Sequence, residues 1–76
     1  MTEYLVWERD IDGESLVKNL ISNNDSGYTI NIIDDDTNYD NFNKSKKYHV
    51  KVIEYSEFNG VIWNYFKLKY YIKEIK

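Results

Sequence analysis

From Thr2 to Arg9 the chain alternates Tyr4 and Val6 with Leu5 and Trp7, and this aromatic and β-branched content predicts a strand. Asp10 to Gly13 reads as a turn. Within it Asp12 is a good helix cap, because its carboxylate can accept from the free amides of a first helical turn, and Ile11 can staple to Leu16. Leu16, Val17, Leu20 and Ile21 then recur at helical spacing with Glu14, Lys18 and Asn19 on the other side, which predicts a helix from Gly13 to about Asn23. Asn23-Asn24-Asp25-Ser26-Gly27 ends it, since these residues tolerate turn geometry and compete for backbone hydrogen bonds.

A second strand is predicted at Tyr28 to Ile33. Asp34 to Lys46 shows no sustained period and is dense in Asp and Asn, so it reads as a long polar loop with Tyr39 and Phe42 as anchors onto the body. Lys47 to Tyr55 alternates Tyr48, Val50 and Val52 with His49, Lys51 and Ile53, a third strand. Asn59-Gly60 between Phe58 and Val61 is a strong hairpin signal, because a type I′ turn needs positive φ at both central residues. The fourth strand starts at Val61 and runs to Phe66. Beyond it Leu68, Tyr70 and Ile72 alternate with lysines, while Leu68, Tyr71, Ile72 and Ile75 also fit one helical face; extension of the strand to about Lys73 is the favoured reading.

The order β-α-β-β-β defines an α+β fold of two layers, one helix packed on a mainly antiparallel four-stranded sheet, in a single domain spanning 1–76. One short helix covers one face of such a sheet. The second face must be solvated, packed under the long loop, shared in a homodimer, or used on a partner.

Composition sharpens this picture. A 76-residue chain with no cysteine has neither a disulfide nor a thiolate metal site to support it, so the core depends on packing by its eight Tyr, three Phe and two Trp. No apolar run approaches a membrane span, and Met1-Thr2-Glu3-Tyr4 lacks the basic start and apolar stretch of a signal peptide, so the chain reads as cytoplasmic. Ala, Pro, Gln and Cys are missing while Asn, Ile, Lys and Tyr abound, a bias that matches A+T-rich codons. Charge is segregated: ten acids face two basic residues in 1–40, and eight lysines face three glutamates in 41–76. If the fold keeps those halves apart, the particle has two electrostatic faces.

Chemistry-bearing patterns are few. Asp34-x-Asp36-x-Asn38-x-Asp40 places oxygen ligands at alternate positions as calcium loops do, but Tyr39 stands where the sharp turn needs Gly and Ser45 where a bidentate Glu should close the shell. An acidic solvated loop is the simpler reading, and no metal or other cofactor is expected. The sole histidine, His49, sits in a predicted strand, there is no thiol, and Gly13, Gly27 and Gly60 are scattered at turns rather than gathered in a phosphate-cradling loop, so no enzymatic activity is expected. Tyr65, Lys67, Lys69 and Tyr71, with Tyr70 and Lys73 interleaved, could bind single-stranded nucleic acid by phosphate contacts and stacking. A lysine edge that blocks aggregation is the commoner use of such a strand.

The acids offer the opposite reading. Glu8, Asp10, Asp12 and Glu14 form one cluster and Asp34, Asp35, Asp36 and Asp40 another, and carboxylates on a rigid scaffold can occupy a basic groove in place of phosphates. As a tiny, cysteine-free, acidic, A+T-biased chain without a catalytic motif, the protein resembles the small inhibitors that phages and mobile elements carry against host defences, anti-CRISPR proteins among them; the likeness covers no motif and transfers no residue. It implies a protein-binding inhibitor in the host cytoplasm. The partner would present a basic surface, met chiefly by Asp34, Asp35, Asp36, Tyr39, Asp40 and Phe42. The alternatives are a nucleic-acid module using Tyr65, Lys67, Lys69 and Tyr71, or a dimeric accessory subunit.

Overall fold

A computed structural model describes residues 2–34, 42–57, 60 and 65–76, with Asp34, Glu57 and Tyr65 described by backbone alone. The elements are β1 (Thr2–Asp12), α1 (Gly13–Asp25), β2 (Thr29–Asp34), β3 (Lys47–Glu57) and β4 (Tyr65–Glu74). They form a four-stranded sheet in the order β1-β3-β4-β2, with β1–β3 and β3–β4 antiparallel and β2–β4 parallel. The predicted α+β class, the β-α-β-β-β order and the mainly antiparallel pairing are therefore the observed ones.

Element boundaries differ from the periodicity in instructive ways. No turn separates the first strand from the helix: β1 continues through Asp10, Ile11 and Asp12 because β3 offers partners at His49, Tyr48 and Lys47, and the helix begins at the next residue. Asp12 caps it as its side-chain chemistry predicts, Oδ1 accepting from the Ser15 amide at 2.8 Å. The helix outlasts Asn23 by two residues, and its end is closed by the Ser26 amide donating to the Ser22 carbonyl before Gly27 turns the chain at φ +88°. β4 remains extended to Glu74, paired with Tyr48 of β3, which settles the helix-or-strand ambiguity after Phe66. Of the predicted hairpin, Gly60 has the positive φ of +92° a type I′ turn requires, while Asn59 and Val61 to Asn64 lie outside the described residues.

Helix and sheet differ in reach. Thirteen residues of α1 rise about 20 Å and eleven residues of β1 or β3 about 36 Å, so the helix covers one end of one face. Under it lies the core: Ile11, Leu16, Tyr48, Val50, Val52, Leu68, Tyr70 and Ile72, with Trp7, Leu20, Tyr28, Ile30, Ile32 and Phe42 packed around them. These strand positions alternate with the intervening residues, so they share a face by pleat geometry. A register shift between Leu5 and Trp7 leaves Val6 as an extra residue, which is what keeps Trp7 on the core face opposite Val52.

Two polar devices fix the helix to the sheet. The buried Tyr70 phenol donates to Asn19 and accepts from Asn23, which also donates to Asn19 at 3.2 Å. At the other end of α1, the Gly13 amide donates to the Lys46 carbonyl at 2.8 Å, and a Cβ at Gly13 would fall 2.0 Å from the Asn43 carbonyl oxygen. That close approach explains the glycine. The turn against it holds its shape because Asn43 Oδ1 accepts from both the amide and hydroxyl of Ser45, while the Asn43 amide donates to the Tyr48 phenol at 2.9 Å.

Candidate functional site on the open sheet face

Pleat alternation sends Glu3, Leu5, Glu8, Asp10 and Asp12 of β1 to the face opposite the helix, together with Lys47, His49, Lys51, Ile53 and Tyr55 of β3. β4 adds Lys67, Lys69, Tyr71 and Lys73, and β2 adds Thr29, Asn31 and Ile33. Among the described residues no element packs over this face. The acidic and basic halves of the sequence thus do not become two sides of the particle. Because β1 pairs with β3, they become adjacent columns on one side, with Asp12 opposite Lys47, Asp10 opposite His49 and Glu8 opposite Lys51.

At the end of the face near Glu3 the charges are internally satisfied. Lys69 Nζ reaches Glu3 Oε1 at 3.2 Å and stands 4.7 Å from the centroid of the Tyr55 ring, whose phenol accepts from Asn31 Nδ2 at 2.5 Å. This chain of contacts crosses all four strands and leaves Tyr55 buried although it is not part of the core cluster. Glu3 raises the Lys69 ammonium above its ordinary pKa by hydrogen bonding.

The other half of the face differs. His49 sits between two carboxylates, Nδ1 at 2.7 Å from Asp10 Oδ1 and Nε2 at 2.8 Å from Glu8 Oε2. Only the imidazolium has two N–H donors, so this geometry suits the protonated ring, and the hydrogen bonds to Asp10 and then Glu8 raise its pKa above 6.5. Beside it lies a hollow of about 220 Å³ lined by Glu8, Ile33, His49, Lys51, Tyr71, Ile72 and Lys73. Tyr71 and Ile33 are exposed, whereas their neighbour Ile72 is buried in the core.

The residues singled out by sequence distribute unevenly. Asp35, Asp36, Tyr39 and Asp40, and with them the calcium-like spacing, lie outside the described residues; Asp34 ends β2 in register with Ile72. Phe42 meets Tyr48 edge-on with ring centroids 5.7 Å apart, matching the predicted anchor onto the body. Lys67, Lys69 and Tyr71 do share one face, with Lys69 engaged by Glu3. The hollow itself, formed by Glu8, His49, Lys51 and Lys73, was invisible to motif reasoning, because it exists only once β1, β3 and β4 are set in register.

Chemically, the residues lining the hollow include two lysines, a histidine, a glutamate and a tyrosine, and no Ser, Thr or Cys. Among the described residues no group of three His, Asp or Glu is arranged to hold a metal ion, and no helix is long and apolar enough to cross a membrane. Comparison of the chain with protein-family models, curated proteins and solved structures finds no match in any of the three.

Proposed function

We propose that this is a non-catalytic protein-binding protein whose partner docks on the open face of the sheet. The observation that carries the reading is the pairing of an acidic column on β1 with a basic column on β3 and β4, beside the exposed Leu5. Neighbouring strands lie about 4.8 Å apart, so a uniformly anionic strand attracted by the lysines would meet the β1 carboxylates at short range. A protein surface with both signs of charge can match both columns. The edge position of β1 favours the same class of partner, because its outer backbone groups have no strand neighbour among the described residues.

Within that class, the small inhibitors of phages and mobile elements are the proteins this chain resembles in size, acidity and composition, and a nucleic-acid-handling target would offer the basic surface β1 requires. The acidic segment Asp34, Asp35, Asp36 and Asp40 belongs to the same proposal: it is flanked by Asp34, the last residue of β2, in register with Ile72, and by Phe42, edge-on to Tyr48. The test is capture of partner from host lysate by the immobilised chain. Reversing Glu8 and Asp10 together to Lys weakens capture at least tenfold, and capture by wild type falls with added salt. Reversal of Asp34, Asp35 and Asp36 weakens it further. Undiminished capture by the β1 double variant contradicts the docking assignment.

One observation favours a second reading, a nucleic-acid module: Lys47, Lys51, Lys67, Lys69, Lys73 and Tyr71 lie on one face. Single-stranded DNA or RNA retarded by the chain in low salt, with retardation lost on Lys51→Glu and Lys73→Glu substitution, would select it.

A further inference from the structure

Lys51 and Lys73 line the same hollow, and neither makes an ion pair or side-chain hydrogen bond among the described residues. Register explains this. Lys51 stands opposite Tyr71 on β4, Lys73 opposite His49 on β3, and the two lysines are diagonal neighbours on adjacent strands. The one acid lining the hollow, Glu8, is opposite Lys51 yet is bonded to the His49 Nε2 atom at 2.8 Å. The lining therefore holds two uncommitted positive charges against one committed carboxylate. Ile33 and Tyr71, both exposed, supply apolar surface at the same hollow.

Resting on the reading of this face as a docking face, we propose that the hollow is the seat for one acidic side chain of the partner protein, its carboxylate held by Lys51 and Lys73 and its methylene stem lying on Ile33 and Tyr71. Size and charge choose this occupant. A volume of about 220 Å³, below the roughly 300–1,000 Å³ of ordinary small-molecule pockets, is room for one side chain. A stem of two methylenes makes use of the apolar flank, which inorganic phosphate does not. The partner is thereby specified further: basic groups opposite the β1 column, and a glutamate opposite the β3–β4 lysines.

The test is an NMR titration of the free, folded chain with N-acetylglutamate amide, with its uncharged glutamine counterpart and with inorganic phosphate. Glutamate shifts the signals of Ile33, Lys51, Tyr71 and Lys73, glutamine leaves them unmoved, and phosphate binds more weakly. Lys51→Gln and Lys73→Gln each weaken glutamate binding about two- to fivefold, the range for exposed charge pairs, with the remaining spectrum unchanged. Equal shifts from glutamine, or shifts spread over Lys44, Lys47 and Lys76, overturn the proposal. So does tighter binding of phosphate, which would favour the nucleic-acid reading. Since no partner is used, a failed titration alongside capture that still depends on Glu8 and Asp10 rejects the hollow and keeps the docking face.

Discussion

Tyr70 and Tyr71 are adjacent in sequence and live in different environments. Tyr70 is fully buried beneath α1, its ring edge-on to Trp7 and its phenol bonded to Asn19 and Asn23, whereas Tyr71 is 36% exposed at a shallow hollow. The same residue type serves packing on one face of the sheet and is left available on the other. The helix face is held by apolar contact with a few satisfied phenols; the open face is held by cross-strand charge pairs, individually weak in water. Stability should accordingly reside on the helix face and recognition on the open one.

Substitution of each tyrosine breaks that comparison most sharply. Tyr70→Ala should cost about 3–5 kcal/mol by cavity formation and loss of its hydrogen bonds, most of the stability of a domain this small, while Tyr71→Ala should stay within about 1 kcal/mol. Urea denaturation of both variants checks this. Gly13→Ala ranks next at about 1–3 kcal/mol, because backbone at Asn43 must move to admit the methyl group. A smaller loss of melting temperature is expected for Asp12→Ala. The Ser15 amide and hydroxyl hold the Asp12 carboxyl below its ordinary pKa, so its contribution is present above the unfolded pKa and fades as pH falls through the folded one. Melts of wild type and variant should therefore converge in acid.

The smallest effect belongs to the open face. His49 has a raised folded pKa, so its stabilisation is fully present below 6.5 and is lost as pH rises through the folded value. Imidazole NMR shifts should titrate with a midpoint above 6.5 in wild type and move back toward it in the Glu8→Gln, Asp10→Asn double variant. A midpoint unchanged by that substitution would show the two carboxylates are not its partners in solution.

How far the sequence reveals this molecule depends on whether a feature is local. The Asp12 cap, the Leu16–Leu20 helical stripe and the alternation of Tyr48, Val50 and Val52 are set by neighbours a few residues away, and all are legible. Strand ends are less so: Asp10 to Asp12 look like a turn because their partners lie in β3, 35 or more positions distant. The hollow depends on two such pairings at once. Alternation does place Glu8 with Asp10, His49 with Lys51 and Tyr71 with Lys73 on single faces, but only the order β1-β3-β4-β2 brings those pairs side by side. The same pairing overturns the expectation of two electrostatic sides, since distant acidic and basic segments are hydrogen-bonded neighbours.

The most direct test of the open face as the docking face compares capture of partner by three folded chains. Wild type and an Ile21→Glu variant, altered on the exposed side of α1 where Ile21 is 56% accessible, should retain the partner equally. A Tyr71→Ser, Lys51→Glu variant should lose it. Equal capture by all three, or loss confined to the Ile21 variant, would place recognition on the helix side and contradict the assignment.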